Sequence, residues 1–146
     1  MSKAVFRLEQ QQMHLLDPSS DRRETGHAMR SVFTRNAAPP AGPYSQAIKA
    51  AGQVFCSGQL PTDPAGVLIT GTVAEKTEAC IRNLKAILGE AGSELGKVIF
   101  LSDMQYFQEM NAEYEKWFSH KPARSCVAVR TLPKNADVEI EAIAIQ

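Results

Sequence analysis

The sequence predicts a single α+β domain in which one sheet carries two helices on one face. Two observations lead there. Apolar residues recur at the helical period over two long segments, and six shorter runs between and around them have the composition of strands. At 146 residues the chain has room for one core and not two.

From Ser31 the pattern is regular. Ser31 to Thr34 is the first strand, followed by a Pro/Gly-rich loop from Ala38 to Pro43. Ser45 to Ala50 and Gln53 to Ser57 form two strands joined by a tight turn at Ala51-Gly52. A second turn-rich loop runs from Pro61 to Gly66. The clearest element is a helix from Val73 to Ala91. Val73, Thr77 (through its methyl), Cys80, Ile81, Leu84, Ile87, Leu88 and Ala91 make one stripe, while Glu75, Lys76, Glu78, Arg82 and Lys85 face away. Thr72 caps it and Gly92 stops it. Lys97 to Leu101 is a short strand. Ser102-Asp103 opens a second helix, Met104 to Phe118, with Phe107, Met110, Tyr114, Trp117 and Phe118 inward. Such an aromatic stripe is core by default. Ser125 to Arg130 and Asp137 to Ile145 read as a closing β-hairpin.

Residues 1–30 differ in kind. Gln10-Gln11-Gln12, Asp17-Pro18-Ser19-Ser20 and Arg22-Arg23-Glu24 show polar, turn-forming composition without sustained period. Acidic residues among the basic ones fit a mitochondrial presequence poorly. The segment reads as a disordered extension, with Met29 as a second candidate start.

Bulk composition excludes several classes. Sixteen basic and sixteen acidic residues cancel, which leaves no electrostatic footprint for nucleic acid or an anionic membrane. No apolar run approaches the roughly 20 residues needed to span a bilayer. The three cysteines, Cys56, Cys80 and Cys126, are odd in number and lack metal-like spacing, which fits reduced thiols. His14, His27 and His120 offer no metal-binding pattern either.

Alternation along the closing hairpin concentrates the chemistry. Arg124, Cys126 and Ala128 share one face of their strand; Glu139 and Glu141 share one of theirs. With residue 126 opposite residue 139, all four polar groups project from the same side. From spacing alone, an exposed cross-strand Arg–Glu pair worth about a few tenths of a kcal/mol is the plainer account.

A longer series of motifs extends this reading. Gly42-Pro43-Tyr44-Ser45-Gln46-Ala47-Ile48, Ser57-Gly58-Gln59-Leu60-Pro61, Asn83-Leu84-Lys85-Ala86-Ile87-Leu88 and Asn111-Ala112-Glu113-Tyr114 come first. Pro122-Ala123-Arg124-Ser125-Cys126-Val127, Leu132-Pro133-Lys134 and Val138-Glu139-Ile140-Glu141-Ala142-Ile143-Ala144 follow. Together they resemble the Rid (reactive intermediate/imine deaminase) family over residues 31–146. The segment after Gly92 and the loop Phe118 to Pro122 are shorter than the family's pattern.

The resemblance implies a chorismate-mutase-like α+β fold: a mixed sheet with two helices on one face, assembled as a homotrimer around a central barrel with intersubunit clefts. It implies cofactor-free hydrolysis of 2-imino acids such as 2-iminopropanoate and 2-iminobutanoate, in cytoplasm or mitochondrion. Arg124 would grip the substrate carboxylate and Glu139 would handle the water and its protons. Tyr44, Gly58, Asn111 and Cys126 would line the cleft. No nearby histidine activates Cys126 as a nucleophile, and Ser57 is as readily a turn hydroxyl as a functional one. A non-catalytic ligand-binding or regulatory trimer, or a relative dedicated to another imine or enamine, are the alternatives.

Overall fold

The structure, a computed structural model, describes residues 29–146, so residues 1–28 of the expected extension lie outside the described residues. Six strands form one sheet: β1 (Arg30–Val32), β2 (Ala47–Ala50), β3 (Gln53–Gln59), β4 (Glu94–Leu101), β5 (Arg124–Ala128) and β6 (Val138–Ile145). Two helices complete the domain, α1 (Val73–Ala91) and α2 (Phe107–Trp117), the second entered through a 3₁₀ turn at Met104–Tyr106.

Helix α1 forms where its apolar stripe ends in clear stop signals. Thr72 accepts the amide of Glu75, and the Glu75 carboxylate accepts the Thr72 amide at 2.8 Å, a reciprocal capping box. Gly92 ends the helix at φ 71°, with its own amide on Gly89 and the Ser93 amide on Leu88. Cys80, Ile81, Leu84 and Ile87 are fully buried beneath it, so Cys80 packs as its place on the stripe predicts.

The sheet order is β1-β2-β3-β6-β4-β5, and this overturns the expected closing hairpin. Strand β5 pairs in parallel with β4, while β6 lies on the other side of β4 and pairs antiparallel with both β3 and β4. The reason lies in the connections. Strands joined through a helix settle parallel and adjacent, as β4-α2-β5 does. Strands β3 and β4, joined through α1, also run parallel but leave one slot between them. The last strand fills it, and residues 129–137 carry the chain back across the end of β4.

Strand β6 suits a central position because its sides differ. Val138, Ile140, Ala142 and Ala144 are buried, while Glu139, Glu141, Ile143 and Ile145 point the other way and are half-buried or exposed. Both helices lie over the first set. The opposite face carries Phe55, Ile143 and Ile145, exposed by 42%, 49% and 76%, an apolar surface left open among the described residues.

Strand β4 is longer than its apolar run predicts. It pairs with β6 along all eight residues, from Glu94 opposite Ile145 to Leu101 opposite Val138. The helix-to-strand connection from α1 into β4 is Gly92 and Ser93 alone.

Replacement of Ile140 by alanine, in the fully buried row of β6, should cost about 3 kcal/mol in chemical denaturation. A cost below about 1 kcal/mol would mean that this row does not carry the core.

Candidate functional site

Strand β5 ends the sheet beneath α2, and Arg124 rises from it toward that helix. Phe107, Met110, Asn111 and Tyr114 stand at steps of three and four along α2 and so form one stripe. All four meet the guanidinium. Arg124 Nη2 donates to Asn111 Oδ1, and Nη1 lies 3.8 Å from Met110 Sδ. The Tyr114 and Phe107 ring centroids are 4.8 and 5.6 Å from Arg124 Cζ. Among the described residues no carboxylate forms a salt bridge with Arg124. Cys126, two residues on, packs against the edge of the core. Burial raises its thiol pKa, and the neighbouring Arg124 charge only partly opposes this, so the thiol is held in its protonated, unreactive form.

Glu139 stands on the other face of the sheet. Opposite it the β3–β6 pairing is irregular: Cys56 faces Ala142 and Gln59 faces Ile140, which inserts one extra residue at Ser57-Gly58. The bulge carries no side chain where Glu139 needs room. A Cβ on Gly58 would lie 2.0 Å from Glu139 Oε1 and 2.8 Å from its Cδ. The carboxylate thus lies directly on the Gly58 backbone. Loss of water raises the Glu139 pKa above the usual carboxylate range, and the Glu141 charge on the same face pushes it the same way.

Tyr44 completes this side. Its hydroxyl accepts the Ala41 amide at 3.0 Å, which leaves the phenolic proton free to point outward. Together with Pro39, Pro40, Gly58, Leu60 and Lys134 it lines a narrow groove. Lys134 donates to the Gly66 carbonyl at 3.0 Å and so ties the 133–136 turn to the loop after β3. Ser57 lies within β3 at the bulge and not in a turn, and its hydroxyl donates to the Ser45 carbonyl at 2.8 Å.

The expected single face of Arg124, Cys126, Glu139 and Glu141 does not exist. Cys126 is in register with Ile99 and through it with Ile140, whereas Glu139 is in register with Phe100 and through it with Val127. An intervening strand and a switch of face separate the arginine from the carboxylates. Within one chain the expected residues fall into two groups: Arg124, Asn111 and Cys126 under α2, and Tyr44, Gly58 and Glu139 on the open face. Sequence reasoning missed Met110, Phe107 and Tyr114 as neighbours of Arg124 because an aromatic stripe reads as core. The signal that could have found them is Asn111, a polar residue set into that stripe.

A separate cavity of about 830 Å³ opens between α1, the end of α2 and β6, lined by Ile81, Leu88, Trp117 and Phe118 among others. None of the expected site residues lines it. Lys85 and His120 are the titratable groups among its lining residues, and they do not make a carboxylate-anchoring acid–base pair.

The family profile described as Endoribonuclease L-PSP matches residues 34–146. The mitochondrial protein MMF1 of Saccharomyces cerevisiae is 46% identical over 120 residues, covering 79% of this chain and 83% of MMF1. The 2-iminobutanoate/2-iminopropanoate deaminase of Salmonella typhimurium is 37% identical over 125 residues, covering 80% and 98% of the two chains. The crystal structure of YyfA from Yersinia pestis, described as a conserved Rid family protein of unknown function, matches with a TM-score of 0.77. It is 36% identical and covers 82% of this chain and 100% of its own. The chain belongs to the Rid family. Its six-stranded sheet and two helices are the shared fold of these Rid proteins, and the match includes both groups of site residues.

Two outcomes test this geometry. Gly58 does not use a left-handed backbone conformation, so Gly58→Ala should keep the fold while its new methyl displaces the Glu139 carboxylate. Circular dichroism should stay unchanged while a crystal structure shows Glu139 rotated away; an unmoved Glu139 would contradict the contact. The second concerns pH. A raised carboxyl pKa means that the folded state holds its proton longer than the unfolded chain. Glu139 therefore subtracts stability as pH climbs above the ordinary value of roughly 4. Relative to wild type, Glu139→Gln should gain melting temperature at neutral pH and gain little at acidic pH. A gain equal at both values would contradict the shift.

Proposed function

We propose that this Rid protein hydrolyses 2-imino acids, 2-iminopropanoate and 2-iminobutanoate among them, to 2-keto acids and ammonia in clefts between the subunits of a homotrimer. The observation that carries this reading is the division of the site residues within one chain. Among the described residues, Arg124 is a cation with no carboxylate paired to it, and Glu139 is a half-buried carboxylate with no cation paired to it. Each half is useful only if a neighbouring copy supplies the other. The bare apolar face of Phe55, Ile143 and Ile145 gives a second copy a surface to cover.

In such a cleft the Arg124 guanidinium binds the substrate carboxylate through two parallel N–H···O bonds. Glu139 takes a proton from water as the oxygen attacks the imine carbon and passes it to the nitrogen, giving a carbinolamine. It then relays the carbinolamine's hydroxyl proton to the same nitrogen, so that the C–N bond breaks, the C=O bond forms and ammonia departs. Water is the co-reactant, and no cofactor, metal, nucleic acid or membrane takes part. A carboxylate whose pKa is raised is a stronger base toward water than an ordinary one. Tyr44 and Gly58 border the substrate, Asn111 steadies the arginine, and the Cys126 backbone lies beside the carboxylate.

The names of the relatives print two chemistries, imine deamination and RNA cleavage. Balanced net charge supports the first, since a nuclease groove needs a cationic track for phosphates whereas an imino acid needs one cation. The location we infer is mitochondrial or cytoplasmic; the names of two yeast relatives carry the word mitochondrial.

The test couples purified protein to an amino-acid oxidase and follows imine loss. Wild type should exceed buffer alone, and Arg124→Ala should fall to the buffer rate; equal rates for the two proteins would sink the deaminase reading. Mixing unfolded Arg124→Ala and Glu139→Gln chains and refolding them together should restore activity in roughly a quarter of the sites of a closed ring. No recovery would argue against shared clefts.

A further inference from the structure

A long arginine on an edge strand loses rotamer freedom when it binds a ligand, and that loss weakens binding unless something already holds the side chain. A carboxylate could hold it, but would compete with the substrate's own carboxylate for the same N–H edge. An aromatic ring restrains a guanidinium from its face and consumes none of its donors.

Tyr114 occupies that position. Its ring centroid is 4.8 Å from Arg124 Cζ, nearer than that of Phe107 at 5.6 Å. The ring is itself fixed: Tyr114 is 7% exposed and packs on Phe118 with centroids 4.5 Å apart. Three residues earlier on the same helix, Asn111 accepts from Nη2, so one helical stripe sets both a ring and an amide against the guanidinium. We propose that Tyr114 is a positioning residue, which sets the plane of Arg124 so that its remaining N–H groups meet a carboxylate edge-on. The proposal rests on the reading of Arg124 as the carboxylate anchor. It adds that an electron-rich ring, not the tyrosine hydroxyl, is what position 114 requires.

The experiment measures KM and kcat for 2-iminobutanoate released in situ by an amino-acid oxidase. Tyr114→Phe keeps the ring and should keep the wild-type KM. Tyr114→Leu should raise KM about three- to tenfold and leave kcat nearly unchanged. Leucine also disturbs the packing on Phe118, so a second series places phenylalanine with one, two or three ring fluorines at position 114. Fluorine withdraws electron density from the ring face with little change of shape. KM should therefore climb with each fluorine at constant melting temperature. A flat KM across the fluorinated series overturns the proposal, as does a Tyr114→Phe variant as impaired as Tyr114→Leu. Arg124→Ala in the same assay separates the two levels. If it abolishes activity while the fluorinated series is flat, only the role of Tyr114 fails. If it retains wild-type activity, the anchor reading fails and the role of Tyr114 goes with it.

Discussion

The two-sidedness of the central strand is the constraint on which the rest depends. Along β6 every second residue is apolar and buried under the helices, and the residues between them include both carboxylates of the candidate site. A one-residue slip would bury Glu139 and Glu141 in the core and expose Ile140 to water. The core thus fixes the register, and the register places the chemistry. The same alternation on β5 sends Arg124 and Cys126 to the helix side, where α2 is waiting with its stripe.

Both ionisable groups are held in states that a simple ion pair would have removed. Joined within one chain, Arg124 and Glu139 would neutralise each other and draw the Glu139 pKa down. Kept on opposite faces, the guanidinium is steadied by rings, a thioether and an amide, all neutral, and the carboxylate rests on bare backbone at a bulge. The side chains that meet the guanidinium carry no charge of their own, whereas Glu139 shares its face with the charged Glu141.

Much of this was legible in the sequence, and what was not has a physical cause. Helix α1 could be read to the residue because its signals are local: a stripe, a threonine cap and a stopping glycine. The candidate residues of both groups were also readable, from motifs. Pairing was not. A strand pair close in sequence looks like a hairpin, and only the demand of two helical crossovers for parallel neighbours shows that β5 and β6 are separated by β4. The face shared by Arg124 and Glu139 failed with that hairpin. The bulge at Ser57-Gly58 was also hidden, since it shows only in the pairing with a strand some eighty residues away in the chain.

The slot between β3 and β4 has a consequence for how the chain is made. Synthesis proceeds from the N-terminus, and domains fold as they emerge. Here the strand that joins the two halves of the sheet comes last in chain order among the described strands, so it emerges after both of its neighbours. Until then β3 and β4 each present an open edge to the same gap, and the helices cover a floor with its middle plank missing. The gap between β3 and β4 is filled only once the eight residues of β6 are in hand. Loss of β6 would therefore remove a keystone, parting β1-β2-β3 from β4-β5.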